Sequence, residues 1–260
     1  MTVMILVGTE TGNSLDYATR ASEDLERLGI ENEIYLMDEY RLEDLLEVSV
    51  VIFVCSTTGD GEEPSNMKRF MKFLLRADLP ANLFDGIGYA VFGLGDSSYD
   101  KFNFVGKRVY RRMQQLGGKD FVGFRGEGDE RNSKGIEGGW SVWWNKLVES
   151  LMKEEKEDCL RDSNHRVYGE FEPLPPRCSL IFRPGNLKST SDSSSAAFNA
   201  ILEGCERVTP TDHFQDTRLL KFKIDCDSSY KFEPGDILNL KPSNGSENVK
   251  VLMDLMGWKG

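Results

Sequence analysis

From the N-terminus to about residue 155, apolar positions alternate between unbroken runs and runs spaced three or four apart. Val3-Met4-Ile5-Leu6-Val7 is unbroken and ends at Gly8, the pattern of a central parallel strand buried on both faces. A helix follows from about Asn13, with Leu15, Ala18, Leu25 and Leu28 spaced for one buried side and Gly29 to stop it. Glu33 to Met37 predicts a second strand, and the β-branched stretch Val48 to Cys55 a third. Pro64 suits a first helical turn, and Met67, Phe70, Met71 and Leu74 mark the buried side of the helix after it. Tyr89 to Phe92 predicts a fourth strand running into Gly93-Leu94-Gly95. Phe104 to Leu116 then reads as a helix stopped by Gly117-Gly118, Phe121 to Phe124 as a weaker fifth strand, and Trp140 to Met152 as a last helix. Five strands with intervening helices predict an α/β domain over residues 1–155, with a doubly wound, five-stranded parallel sheet.

The pattern then changes. Lys153 to Asp158 is a charged helix end, and Glu172-Pro173-Leu174-Pro175-Pro176 excludes both regular helix and central strand. Lys188 to Ser195 is a low-complexity polar tract with no apolar area to bury, so residues 156–198 read as a linker. Short strands follow at Ala200 to Val208, Arg218 to Ile224 and Asp236 to Leu240. Turns separate them at Thr209-Pro210, Asp227-Ser228-Ser229 and Glu233-Pro234-Gly235. Residues 199–260 thus predict the opening of an antiparallel β-barrel that is left incomplete, with an unfinished helix at Met253 to Gly260.

Composition narrows the function. With 260 residues, 39% hydrophobic and 29% charged, the chain can fill a core in the ordinary way. It has no apolar run near the roughly 20 residues a bilayer crossing needs, so no membrane partner is read. Met1 to Val7 is one strand long and lacks the flanks of a signal peptide. The net charge of −11, from 32 Lys+Arg against 43 Asp+Glu, argues against nucleic acid. Cys55, Cys159, Cys178, Cys205 and Cys226 never form a CxxC pair, which fits neither a disulfide framework nor a metal site and predicts a reducing, cytoplasmic setting.

Chemistry gathers where strands one, three and four end, the edge at which open α/β sheets bind ligands. The first loop, Gly8-Thr9-Glu10-Thr11-Gly12-Asn13-Ser14, joins a strand to a helix. Its hydroxyls, its amide and the N–H groups of a positive helix end make a phosphate cradle. The dinucleotide spacing G-x-G-x-x-G is missing and no lysine follows Gly12, so a terminal monophosphate suits the loop better than a pyrophosphate. Taken alone, the same residues read more simply as a helix cap. The second loop is Ser56-Thr57-Thr58-Gly59-Asp60-Gly61-Glu62, whose glycines let the backbone approach or turn against a planar ligand; alone it is only a turn. The third runs from Gly93 through Leu94, Gly95, Asp96, Ser97, Ser98, Tyr99, Asp100, Lys101 and Phe102 to Asn103. Tyr99 offers a stacking platform there, or, taken alone, a half-buried packing ring. Together the loops describe a site for flavin mononucleotide (FMN).

These three loops resemble the flavodoxin-like domain of diflavin reductases, the group of cytochrome P450 reductase. Ile52-Phe53-Val54-Cys55, the Asp96 to Val105 stretch, Val208-Thr209-Pro210 and His213-Phe214-Gln215-Asp216 are most similar to the NADPH-dependent diflavin oxidoreductases of cytosolic iron–sulfur protein assembly. The resemblance implies that Thr9, Glu10, Thr11, Gly12, Asn13 and Ser14 hold the FMN phosphate. It places Ser56, Thr57, Thr58 and Gly59, with Leu94 to Asn103, around the isoalloxazine, Tyr99 stacked on one face and Asp129 in a further flavin-side contact. Thr58 stands where some relatives have a second stacking aromatic, so the other face is expected to be less covered. Glu10 is expected to point outward, because like charge beside a phosphate weakens binding. No catalytic acid, base or metal ligand is expected, since the flavin carries the chemistry.

Phe232-Glu233-Pro234-Gly235-Asp236 resembles the start of an FAD-binding barrel, which in the family continues into FAD contacts and an NADPH domain. The chain is therefore expected to be an N-terminal fragment that binds FMN but not FAD or NADPH. The whole family member would pass electrons from NADPH through FAD and FMN to an iron–sulfur acceptor of the anamorsin type. The alternative is a flavodoxin-like carrier or docking module without NADPH oxidation of its own.

Overall fold

In a computed structural model that describes residues 2–158, 169, 174, 199–225, 233–234 and 244–257, the unbroken apolar runs form the middle of one sheet. The chain runs β1 (Val3–Gly8), α1 (Asn13–Arg27), β2 (Asn32–Leu36), β3 (Val50–Ser56), α2 (Lys68–Leu74), β4 (Gly88–Gly95), α3 (Phe104–Gln115), β5 (Lys119–Asp120), β6 (Gly126–Asp129) and α4 (Ile136–Asp158). The parallel strands lie in the order β2-β1-β3-β4-β5, and β6 also pairs with β4. Strand order reverses between β1 and β3, which sets the ends Gly8 and Ser56 beside the switch point.

Alternation along each strand divides the core in two. Leu6, Phe53, Cys55, Tyr89 and Val91 face one way, under Phe70, Met71 and Leu74 of α2 and Val105, Val109 and Met113 of α3. Ile5, Val7, Ile52, Val54 and Phe92 face the other way, under Ala18, Ala21 and Leu25 of α1 and Trp140, Trp143 and Leu147 of α4. Helices cover both faces, so the central strands have no polar side and read as unbroken runs.

Three expectations need correction. The fifth strand is not Phe121 to Phe124: the ladder pairs Lys119 and Asp120 with Gly88 and Tyr89, then resumes as Gly126–Asp129 against Phe92–Gly95. Between them the Asp120 carboxylate accepts the N–H groups of Val122 at 3.0 Å and Gly123 at 2.9 Å, a side-chain turn that lifts the chain off the ladder. The resumed strand hides in a glycine sequence because neighbours fill its side-chain space. A Cβ on Gly126 would lie 2.4 Å from the Phe92 ring and 2.6 Å from the Trp143 indole. Second, Leu15 is exposed; Ala18 and Leu25 are buried as expected, and the rest of the buried stripe of α1 is Ser14, Ala21 and Ser22, so it is made largely of small side chains. Third, α4 begins at Ile136 rather than Trp140, passing through Gly138 and Gly139 without a break.

A separate compact unit holds β7 (Asn199–Arg207) and β8 (Arg218–Asp225), paired antiparallel with a register shift between Leu202 and Gly204, and α5 (Ser246–Leu255). The short two-stranded sheet fits the opening of the expected barrel, and it leaves Ile201, Leu202, Leu219 and Leu220 exposed. The expected strand Asp236 to Leu240, the turn at Asp227 to Ser229, and the linker beyond Asp158 (Gly169 and Leu174 apart) lie outside the described residues.

Candidate functional site

The loops after β1, β3 and β4 stand side by side because those strands are neighbours in the sheet. Gly8 ends β1 with the Met67 sulfur where its Cβ would be, 2.3 Å away. Thr9 donates its N–H to Asn66 Oδ1 at 2.9 Å, and its own hydroxyl oxygen accepts the Gly12 N–H at 2.9 Å. Gly12 precedes α1 at φ 99°, a left-handed conformation that suits glycine, and no side chain caps the helix. The first-turn N–H groups of α1 therefore lack intrahelical partners, and no side chain among the described residues accepts them. Ser14, one residue into the helix, is fully buried, and its hydroxyl has no hydrogen-bond partner among the described residues. Thr11 and Asn13 are exposed at the rim. The Glu10 carboxylate accepts the Ser65 N–H at 2.7 Å, and that bond holds it below the usual carboxylate range.

In the second loop, Thr58 and Glu62 exchange backbone bonds of 2.9 and 2.8 Å, so Gly59, Asp60 and Gly61 form a tight tip. Gly59 and Gly61 have φ of 47° and 83°. Ser56 still pairs with Leu94 in the ladder, and Thr57 ties the loop to both neighbours. Its N–H donates to Leu94 O at 3.2 Å, and its hydroxyl oxygen accepts the Val105 N–H at 3.3 Å. Cys55 lies directly below, buried, its thiol pushed up to about 12 by desolvation. It is a packing residue rather than a reactive one.

The third loop is built from side-chain turns. Asp96 accepts the N–H of Ser98 at 2.8 Å and its hydroxyl at 2.6 Å. Asp129, ending β6, accepts the N–H groups of Ser97 and Arg131, both at 3.0 Å. Burial works against its charge, but these bonds win and hold the carboxyl below its ordinary range. Tyr99 is 68% exposed at the apex, beside the exposed Asp100. Asn103 closes the loop at φ 50°, fully buried; its amide donates to Gly128 O at 3.4 Å and its Oδ1 has no partner among the described residues. A Cβ on Gly95 would lie 2.8 Å from that oxygen and 3.2 Å from the Phe102 ring, so a side chain there would press on both.

Lys101 joins the second and third loops. Its ammonium donates to the Asp60 carbonyl at 2.9 Å and to the Asp60 carboxylate at 2.7 Å, and its stem fills the space over Gly61. The pair is largely exposed, so its contribution is local order of about 0.5–1 kcal/mol rather than global stability. Lys101→Met is expected to speed amide exchange at Thr58, Gly61 and Glu62 about two- to fivefold with the melting temperature unchanged. Protection equal to the parent chain's would show that the clasp orders nothing.

The structure thus brings all three loops and Asp129 to one edge. Sequence reasoning missed Asn66, which joins Thr9 across 57 positions. Its only signal is a polar residue just ahead of the helical pattern, which reads as a cap. The chemistry available at this edge is an open helix N-terminus with a buried, unsatisfied hydroxyl, able to receive an anion, and an exposed aromatic face able to stack. These donors fit a ligand carrying a phosphate at one end and a planar ring at the other.

Residues 5–143 match the flavodoxin family. A protein of Schizosaccharomyces pombe described as NADPH-dependent diflavin oxidoreductase 1 is 36% identical over 265 residues, taking in 99% of this chain and 44% of that protein. Its namesake in Danio rerio is 36% identical over 270 residues, taking in 98% of this chain and 44% of that protein. The chain therefore spans less than half the length of these relatives. Among solved structures, a cysteine-to-serine mutant of flavodoxin from Pseudomonas aeruginosa is 28% identical with a TM-score of 0.50, covering 58% of this chain and 99% of that one.

Proposed function

The chain belongs to the flavodoxin family, and from that premise we propose that it binds FMN at the three-loop edge and acts as the electron-transfer portion of an NADPH-dependent diflavin reductase. The observation that carries the reading is the pairing, on one sheet edge, of an uncapped helix start holding the buried, unsatisfied Ser14 hydroxyl with the exposed Tyr99 ring. FMN, when bound, supplies the capacity to take up and release electrons singly. The chain's residues do the rest. The first-turn N–H groups of α1 and Ser14 would hold the phosphate, while Glu10 stays engaged with Ser65 and keeps its charge aside. Tyr99 would lie on the ring, and the Gly59 to Gly61 tip would line its edge. No side chain at this edge is needed as a general base or nucleophile.

Homology over almost the whole chain to diflavin oxidoreductases supports a larger circuit. In it electrons would pass from NADPH through FAD and this FMN to an iron–sulfur acceptor protein of the anamorsin type, in the cytoplasm. The net charge of −11 favours docking on a basic partner surface. Asp60, Glu62, Asp96 and Asp100 all lie on the loops that would surround the ring edge. No described helix is long and apolar enough to cross a membrane.

The test is the visible absorption spectrum of the purified chain before and after adding FMN. Uptake of one flavin per chain, with its fluorescence quenched, is the expected result. Absence of flavin bands together with absence of uptake would remove the reading.

A further inference from the structure

We infer that Asn66 is the positioning residue that sets the preference of this edge for a phosphorylated flavin over the bare ring, an inference that rests on the FMN reading above. Asn66 lies in the 3-10 turn Ser65–Met67, outside the first loop, yet its side chain bonds to that loop at Thr9. Its Oδ1 accepts the Thr9 N–H at 2.9 Å, and its Nδ2 reaches Val7 O at 3.5 Å, so both ends of the amide are spent on the C-terminus of β1. The bond to Thr9 is the first step of a relay. With its N–H fixed, Thr9 presents its hydroxyl oxygen to the Gly12 N–H at 2.9 Å, and Gly12 turns at φ 99° into α1. The relay leaves the first-turn N–H groups and Ser14 facing a helix end with no side-chain cap.

The same turn manages the one negative charge in the loop. Ser65, next to Asn66, takes the Glu10 carboxylate on its N–H at 2.7 Å. One short segment thus shapes the cradle and draws away the charge that would repel an anion.

The segment is itself anchored. The Asn66 carbonyl accepts the Asp38 N–H at 2.9 Å, and the Asp38 carboxylate accepts the N–H groups of Arg69 at 3.1 Å and Phe70 at 2.8 Å. The Met67 sulfur fills the space over Gly8. Asn66 therefore holds the phosphate loop to a fixed platform. Among the described residues its hydrogen bonds go to Val7, Thr9 and Asp38, and none goes to the second or third loop. A change at Asn66 should be felt by the phosphate and not by the ring.

That separation supplies the test. Affinities of the flavin-free chain for FMN and for riboflavin are measured by quenching of flavin fluorescence. Asn66→Leu removes both side-chain bonds and is expected to weaken FMN about tenfold while moving riboflavin less than about twofold. Asn66→Asp keeps an acceptor for Thr9 N–H but adds a charge beside the cradle. It is expected to weaken FMN about threefold or more, again sparing riboflavin, and it serves where the leucine variant fails to fold. If both variants weaken the two flavins equally, or neither flavin, the role of Asn66 is overturned while the FMN reading stands. If the parent chain binds neither flavin, the FMN reading falls first and this inference with it.

Discussion

Gly139→Ala is expected to lower the melting temperature of the α/β domain by roughly 5–10 °C. Position 139 is inside α4, where alanine is the better helix former by about 1 kcal/mol, so propensity alone predicts a gain. Packing predicts the opposite. A Cβ there would stand 2.0 Å from the carbonyl oxygen of Glu127 and 2.9 Å from its carbon, both backbone atoms of β6. No rotamer relieves such a contact; α4 or β6 has to move. Overpacking of this kind costs about 3 kcal/mol or more, which outweighs the propensity gain. The neighbouring position is the control. A Cβ on Gly138 would meet the Asn132 side chain at 2.9 Å, and that side chain can swing away at the cost of one exposed bond from the Lys134 N–H. Gly138→Ala should therefore be neutral or slightly stabilising, and thermal unfolding of the two variants side by side decides the matter. Equal melting temperatures would show that α4 does not rest on β6 as described. The effect should reach the site, because β6 ends at Asp129, whose carboxylate holds the Ser97 N–H at 3.0 Å.

The same contact explains what the sequence could and could not reveal of the fold. β1, β3 and β4 were legible because burial on both faces leaves no polar positions. β6 was not, since Gly126 and Gly128 contribute no side chains of their own; Phe92, Trp143 and Ile136 occupy the space instead. Pattern reading assigns strand to the residues that bring bulk, so it settled on Phe121 to Phe124, five positions early. The last helix reads from Trp140 for the same reason: Gly138 and Gly139 bring no apolar side chain, although Gly139 is a point of close helix–strand approach. On α1 the misread residue was Leu15, because small size rather than apolarity marks the face that meets the sheet at Ala18, Ala21 and Ser22.

At the edge that would bind flavin, contiguous features were legible and cross-chain ones were not. Each loop announces itself by following a strand and by its hydroxyls and glycines. The bonds that hold the loops in place join residues 57, 41 and 32 positions apart: Thr9 with Asn66, Lys101 with Asp60, Ser97 with Asp129. Nothing in local composition pairs such residues. The loops suggest a ligand chemistry, whereas these pairs hold the loops in place.

Tyr99→Ala is expected to weaken FMN about 10- to 100-fold, the effect of removing one stacked aromatic worth ~1–3 kcal/mol. The change is a clean one. The ring is 68% exposed, so its loss leaves no cavity, and the turn around it is held by backbone bonds that alanine keeps. Tyr99 N–H donates to Asp96 O at 3.2 Å, and Tyr99 O accepts the Phe102 N–H at 3.0 Å. Compensation from nearby rings is limited: Phe102 is turned toward Gly95, and the second loop offers Thr58 in place of an aromatic. Tyr99→Phe, which keeps the ring, should bind FMN within about twofold of the parent chain. Because stacking acts on the ring and not on the phosphate, Tyr99→Ala should weaken riboflavin by the same factor as FMN, the opposite signature to that expected at Asn66. Fluorescence titration with both flavins reads the two effects together. An FMN affinity untouched by Tyr99→Ala would mean that the exposed tyrosine is not the stacking face, and the ring would have to be sought on the Gly59 side of the edge.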